Sequence, residues 1–414
     1  MGKYAIIGFG NAGINCLKAI REIGSDAQVM VYAGEASASA SNPMLTTYYS
    51  GGKTDYDGMF PHGSAAEICE RFKANLNYET VVDLKSATRE LVLSNGERAF
   101  FDKILIATGA SPFIPIKGHV DPKKIFVMRT PADAEKLKFH LDPIPKTAIV
   151  AGGSMVGIKV CEVLNDAGSK VVLTDMENRI FPLAAFPCVS DAVMNKLKEK
   201  GIALKFGSAL LSVANIEEGV RATFADESTS VVDMVVICVG VTANIKFVGD
   251  EVENDRGILV KDTMETSAPG IYAAGDCVRM RGDKSIIGLW ANAAYQGQTA
   301  GYNMAGKEAH YSGNIPHNIT HFMNMDFIGI GDPVQDGEII DFGVQNCSTM
   351  YKALVKDGEV KCVNVLGNVN GSGPLRNFFT ARLRGENTEL TPEMKGLLAF
   401  QGVNDNFIQL LERK

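Results

Sequence analysis

Apolar runs and helical stretches alternate along this chain in an order that repeats. Lys3–Ile7 reads as a buried strand that breaks at Gly8-Phe9-Gly10-Asn11-Ala12-Gly13. A helix is predicted from about Ile14 to Ile23, and a second strand at Ala27–Tyr32. Strand, helix and strand make a βαβ opening. Asn95-Gly96, between Glu90-Leu91-Val92-Leu93 and Arg98-Ala99-Phe100-Phe101, is a two-residue hairpin signal. A buried strand at Lys103–Ala107 then ends at Thr108-Gly109-Ala110. The order recurs downstream: strand Thr147–Ala151, turn Gly152-Gly153-Ser154-Met155-Val156-Gly157, a helix through about Ala167, and strand Lys170–Thr174. Met234–Val239 closes this second round at Gly240. A duplicated order says more than either motif alone. Beyond Pro333 strands dominate, as at Tyr351–Val355 and Val360–Val365 around an Asp357-Gly358 turn, which predicts a separate α+β domain.

The first glycine motif follows a strand and opens a helix. Its glycines permit a tight turn and let backbone approach a pyrophosphate, and the helix N-terminus meets the negative charge. Glu35 stands 22 residues past Gly13, after the second strand, where a carboxylate accepts hydrogen bonds from ribose hydroxyls. The second motif has Ser154 in place of the middle glycine. Asp175 follows Gly157 by 18 residues at the end of the next strand. An acid there favours the free 2′-hydroxyl of NADH and repels the 2′-phosphate of NADPH, while Arg179 nearby works in the opposite direction.

Composition narrows the picture. A chain of 414 residues predicts two or three domains. Its formal charge of −7 is at odds with a nucleic-acid footprint. No run reaches the roughly 18 apolar residues of a membrane span, and the N-terminus lacks a signal-peptide pattern, so a cytoplasmic location is expected. The eight cysteines are scattered without a Cys-x-x-Cys pair or a metal-ligand cluster, as expected of buried small hydrophobes in a reducing compartment. His317 and His321 are four apart, but Pro316 and Asn318 predict a loop there, and no metal site is expected. Trp290, on composition alone, reads as a buried structural tryptophan.

With these motifs the chain resembles the FAD- and NAD(P)H-dependent pyridine nucleotide oxidoreductases, in particular the branch of rubredoxin and ferredoxin reductases and nitrite reductase flavin domains. Ile106-Ala107-Thr108-Gly109-Ala110 is similar to the family's Ala-Thr-Gly turn beside FAD. Gly270-Ile271-Tyr272-Ala273-Ala274-Gly275-Asp276-Cys277 is similar to its second FAD signature, in which the aspartate holds the ribityl chain. The stretch from Leu289-Trp290-Ala291 to Met304 resembles the helix under the flavin, and Met128-Arg129-Thr130 a linker that touches FAD. The resemblance implies an α/β fold of two Rossmann-like, glutathione-reductase-like nucleotide-binding domains and a small α+β C-terminal domain. Residues 1–118 and 246–320 are expected to bind FAD, 119–245 to bind NAD, and 321–414 to form an interface domain that dimerises. For FAD the expected residues are Gly8, Gly10, Asn11, Ala12, Gly13, Glu35, Ala107, Thr108, Gly109, Arg129, Gly275, Asp276, Trp290 and Ala291. For NADH they are Gly152, Gly153, Ser154, Met155, Val156, Gly157, Asp175 and Gly240.

Three departures from relatives matter. The stretch Ser41–Tyr49 has no cysteine where relatives that reduce disulfides or peroxide carry one, which disfavours thiolate chemistry. Asn42 stands where rubredoxin-reductase-like chains have Lys or Arg, leaving Lys53 as the candidate cation near the flavin. Lys159 stands where many relatives place a glutamate toward the nicotinamide. The expected partner is a small iron–sulfur carrier or an associated redox enzyme, in a cytoplasmic homodimer without nucleic acid or membrane. Lys352, Lys356, Lys361, Arg376, Arg382 and Arg384 outnumber Asp357 and Glu359 within 351–385, and such a patch steers an acidic carrier or is simply solvated. The alternatives are an NADH oxidase that reduces oxygen directly and a redox subunit of a larger complex.

Overall fold

The computed structural model describes residues 2–34, 40–118, 121, 123–282, 286, 288–343, 349–386 and 388–412; Glu35, His119 and Cys347 lie outside them. The chain divides into two compact units. One comprises Met1–Phe113, Arg129–Pro131 and Val241–Gly313, and the other Ile114–Met128, Ala132–Gly240 and Asn314–Lys414.

The first unit is built on a parallel five-stranded sheet in the order Ile271–Ala273, Lys103–Ile106, Lys3–Ile7, Gln28–Tyr32, Asn75–Asn77. Its central strands are apolar almost throughout, as strands covered on both faces must be, and Ala5, Ile6, Ile104 and Leu105 have no exposure. The helix after the first strand begins at Asn11, earlier than predicted, because Gly10 serves as its N-cap. It packs against the helix Trp290–Met304. Gly297 and Gly301 make that approach possible: a Cβ at either would lie 2.1 Å from the Ala12 carbonyl oxygen or 2.5 Å from that of Cys16. The hairpin around Asn95-Gly96 is present as antiparallel Glu90–Leu93 and Arg98–Phe100, within a three-stranded meander.

The second unit repeats the plan. Its parallel sheet has the order Ala203–Lys205, Lys170–Thr174, Thr147–Ala151, Met234–Ile237, Ile125–Val127. The glycine motif opens the helix Met155–Ala167. The C-terminal segment adds an antiparallel sheet, His317–Phe322, Met325–Gly331, Glu359–Leu366, Met350–Lys356, Glu338–Asp341. The Asp357-Gly358 turn falls between two of its strands, as predicted. Leu375, Phe378, Leu398 and Phe407, from helices beyond the sheet, share a core with Ile328 and Val363. His317 and His321 lie in a strand, not the predicted loop; pairing with Met325–Gly331 overrides the local turn bias of Pro316 and Asn318. The imidazole of His321 meets Asp326 at 2.7 Å.

Within this unit the segment 180–186 is tied to the antiparallel sheet. Fully buried Asn364 accepts a hydrogen bond from the Phe186 amide at 2.7 Å and donates to the Ala184 carbonyl at 3.1 Å. Losing the amide would strand a buried N–H, at a cost of about 1–3 kcal/mol. Among the described residues no helix is long and apolar enough to cross a membrane.

Candidate functional site

In the first unit, the backbone geometry of the glycine turn follows from close packing. Gly8 has φ +90°, and a Cβ there would sit 2.4 Å from the Ala107 carbonyl oxygen. A Cβ at Gly13 would lie 2.3 Å from the Gly8 carbonyl oxygen, so only glycine lets the helix sit this close to the turn. Gly10 differs: nothing lies within 4 Å of the Cβ it lacks, and its helix has no side-chain cap. The first amides of the helix thus lack a side-chain cap, which is the arrangement that receives an anion.

Two cavities adjoin this turn. One, of about 190 Å³, is lined by Gly10, Asn11, Ala12, Ala107, Gly109, Arg129, Gly275, Asp276 and Trp290, with Ala40, Ser41, Ala274, Gly288 and Ala293. Nine of the residues expected to hold FAD therefore converge from five separate stretches of chain. Arg129 donates to an Asp276 carboxylate oxygen at 2.5 Å and to the Ala110 carbonyl at 3.2 Å. Gln296 accepts from the Gly275 amide at 2.8 Å, fixing the turn that presents Asp276. Ala291 lies beside Trp290 in the helix and is not among the lining residues. Lys53 is exposed just after the helix Pro43–Ser50 and does not line the cavity either. Asn42 caps that helix, its side-chain oxygen accepting from the Met44 amide at 2.9 Å.

The second cavity, about 740 Å³, is lined by Ile7, Gly8, Tyr32, Ala33, Gly34, Thr108 and Ser111 together with Glu79, Thr80, Val81, Asn244, Lys246 and Phe247. The latter group is absent from the sequence-based list. Asn244 also holds the Thr108-Gly109 turn. Its side chain donates to the Thr108 carbonyl at 3.1 Å, and its backbone carbonyl accepts from the Thr108 hydroxyl at 2.7 Å. The one available signal was an asparagine four residues past Gly240.

These residues fit FAD. A dinucleotide lays its pyrophosphate on a glycine turn at a helix start, and two cavities adjoin that turn here. The indole Nε1 of Trp290 and the amide Nδ2 of Asn292 are buried donors without a hydrogen-bond partner among the described residues. Buried donors are ordinarily satisfied, so two of them at one helix start point to a bound acceptor.

In the second unit, Gly152 has φ +114°, and a Cβ would lie 2.4 Å from the Cys238 carbonyl oxygen. A Cβ at Gly157 would lie 1.9 Å from the Gly152 oxygen. Ser154, expected among the residues that hold NADH, is the cap of its own helix. Its hydroxyl oxygen accepts from the Gly157 amide at 3.1 Å and donates to the Cys238 carbonyl at 3.1 Å. Asp175 ends the strand and accepts from the Gly153 amide at 2.6 Å and the Glu177 amide at 2.9 Å. Arg179 is committed locally, donating to the carbonyls of Ala185 at 2.6 Å and Pro182 at 3.2 Å. Met155 and Val156 form the helix start, and Gly240 has open space where a Cβ would be. The turn thus fits a dinucleotide on the amides of Met155 and Val156. Lys159, inside this helix, is 2% exposed and bonded to Glu162 at 2.7 Å.

Seven described cysteines are unpaired. Burial pushes the thiols of Cys69 and Cys277 up to about 11 and that of Cys238 to about 12. Burial also raises Cys16, Cys161 and Cys362. None of these is poised as a thiolate. The basic stretch near the C-terminus is paired in part with acids: Lys352 meets Asp341 at 2.6 Å, and Glu359 takes both Lys361 and Arg382.

Comparison with known proteins agrees with this geometry. The chain is 26% identical over 400 residues to the epsilon subunit of NADH-dependent phenylglyoxylate dehydrogenase of Aromatoleum evansii, covering 94% of this chain and 93% of that one. It is 29% identical over 321 residues to an NADH oxidase of Methanocaldococcus jannaschii, covering 75% and 71%. In fold it matches a ferredoxin reductase of Rhodopseudomonas palustris with a TM-score of 0.85, at 19% identity and 98% coverage of both chains. Residues 2–297 match the pyridine nucleotide-disulphide oxidoreductase family, and the chain belongs to that family, with FAD and NADH as its cofactors.

Proposed function

We propose that this chain passes reducing equivalents between NADH and an external carrier, most simply a small iron–sulfur protein, without a cysteine in the path. The chain is an FAD-dependent NADH:acceptor oxidoreductase. The observation that carries the carrier reading is the cavity of Gly10, Arg129, Asp276 and Trp290: among the described residues no cysteine lines it, and the described buried thiols are held protonated. The family name mentions disulphide, but among the described residues the cavity wall offers no thiol to exchange.

When bound, FAD and NADH supply the hydride and electron chemistry, and the protein supplies binding and alignment. Gly8, Gly10 and Gly13 would bring backbone amides to the FAD pyrophosphate. Asp276, held by Arg129, would accept from a ribityl hydroxyl. Tyr32, Glu79, Val81 and Asn244 would wall the adenosine end. Trp290 would close the flavin end against water, and its Nε1 would find its acceptor there. In the other unit Met155 and Val156 would present amides to the pyrophosphate of NADH, and Asp175 would face its 2′-hydroxyl. Arg179 spends its donors on Ala185 and Pro182, which removes the competing pull toward NADPH.

The relative matched over nearly its whole length is itself a subunit of an NADH-dependent dehydrogenase. This supports a second reading, in which the chain serves as the NADH-facing subunit of a larger reductive or oxidative complex. One experiment separates the readings. The purified protein is reduced with NADH under anaerobic conditions and then mixed with ferredoxin, rubredoxin or oxygen. Rapid electron transfer to a free carrier upholds the proposal. Fast oxygen turnover favours an oxidase. Slow turnover with every acceptor, together with a stable complex isolated from the source cell, favours the subunit.

A further inference from the structure

His62 lies far from either glycine motif in sequence, yet its imidazole stacks on the indole of Trp290, with ring centroids 5.5 Å apart and planes 8° from parallel. Its Nε2 is 3.1 Å from the side-chain oxygen of Asn11, and its Nδ1 is 3.5 Å from Nζ of Lys18. Asn11 completes the path: its amide nitrogen donates to the Trp290 carbonyl at 2.6 Å. Its oxygen also accepts from Asn15 at 2.9 Å. These partners assign the tautomer. The Asn11 oxygen can only accept, so Nε2 carries the hydrogen. The Lys18 ammonium can only donate, so Nδ1 presents its lone pair. A single directed chain results, from Lys18 through His62 and Asn11 to the backbone of Trp290. It joins the first helix, the segment before the helix Ala65–Arg71, and the start of the helix Trp290–Met304.

We propose that His62 is a positioning residue for the flavin site, a neutral imidazole that fixes the Trp290 ring at the cavity wall. The proposal rests on the reading that this cavity receives FAD. Asn11 and Trp290 both line the cavity, so the chain of bonds sets where one wall stands. The charged group that faces the ring is Lys18, with Arg71 behind it, and Asn11 and Trp290 contribute no charge. Protonating His62 would place an Nδ1–H against the ammonium and break the chain at its first link. Burial and Lys18 accordingly hold the imidazole below the ordinary value of 6.5. The wall is thus locked at neutral pH and released as the solution becomes acid.

Trp290 is the single tryptophan of the chain, so its emission reports this site alone. The emission of the flavin-loaded protein should titrate with a midpoint below 6.5, the ordinary histidine value. His62→Gln should abolish that titration and shift the emission to the red. Lys18→Met should move the midpoint upward, because the opposing cation is gone. In His62→Phe the stack survives while the bonded chain does not, so the flavin should stay bound while its reduction by NADH slows about tenfold or more, the scale of a misplaced ring. An emission that does not titrate in the wild type, or an unchanged midpoint in Lys18→Met, overturns the proposal. So does a folded, flavin-replete His62→Gln protein whose emission and flavin spectrum match the wild type. A wild-type protein that takes up no FAD sinks the cofactor reading instead, and the emission titration still tests the His62–Trp290 lock.

Discussion

The two glycine turns share their outer glycines and differ in the middle. In both, the last glycine is demanded by contact with the first: a Cβ would stand 2.3 Å from an oxygen at Gly13 and 1.9 Å at Gly157. In the first turn the middle position is Gly10, with open space around it and no side-chain cap on the helix. In the second it is Ser154, which caps its helix, while Asp175 occupies the Gly153 amide. The first turn leaves its donors to a ligand. The second satisfies part of its own demand, and a ligand arriving there gains less. This is the difference expected between a cofactor that stays and a nucleotide that comes and goes each turnover.

The largest effects should come from filling the shared tight contact. Gly13→Ala should eliminate FAD retention, whereas Gly157→Ala should leave a yellow protein that NADH no longer bleaches. Flavin content by absorption and anaerobic stopped-flow bleaching read the two outcomes. If both variants lose flavin alike, the turns do not have separate roles. Next in size are the two acids. Asp276→Ala should weaken FAD retention by about 1.5–3 kcal/mol, the range for a hydrogen bond to a charged group, measured by equilibrium dialysis. Asp175→Ala should leave FAD in place and narrow the preference for NADH over NADPH. Equal bleaching by the two nucleotides in the wild type would refute the role given to Asp175. The smallest effect concerns Ser154. Ser154→Ala should lower stability by about 1 kcal/mol through the lost cap, while Ser154→Gly should cost only a few tenths. The glycine variant should also bind NADH more tightly, since the Gly157 amide is freed; weaker binding would show that the hydroxyl helps to hold the nucleotide.

Much of the framework was legible because its signals are local. A strand, a glycine turn and a helix are adjacent in sequence, and the Lys3–Ile7, Thr147–Ala151 and Lys170–Thr174 strands appear with the predicted bounds. Side-chain direction was not legible. The spacing put Ser154 at the turn, but a hydroxyl that bends back onto Gly157 leaves the same spacing as one that faces a ligand. His62 stands in no motif of the sequence. Its partners Asn11, Lys18 and Trp290 lie 51, 44 and 228 positions away, beyond any window of periodicity. The far wall of the larger cavity, Glu79 to Val81 and Asn244, escaped for the same reason. His317 shows the opposite failure: neighbouring proline and asparagine gave a local turn signal, and strand pairing at a distance decided the outcome.

The pair of Lys159 and Glu162 bears on how this chain can diverge. Both are buried within one turn of the second-motif helix, bonded at 2.7 Å. Breaking a buried ion pair costs a domain about 3–5 kcal/mol, a large share of its stability. Change at either position is therefore felt at the other. A descendant that acquires a glutamate at position 159 would set two carboxylates within one buried turn unless the Glu162 charge is lost in the same step. Close homologues should keep lysine with glutamate as an inherited couple, and its joint replacement would mark a lineage boundary.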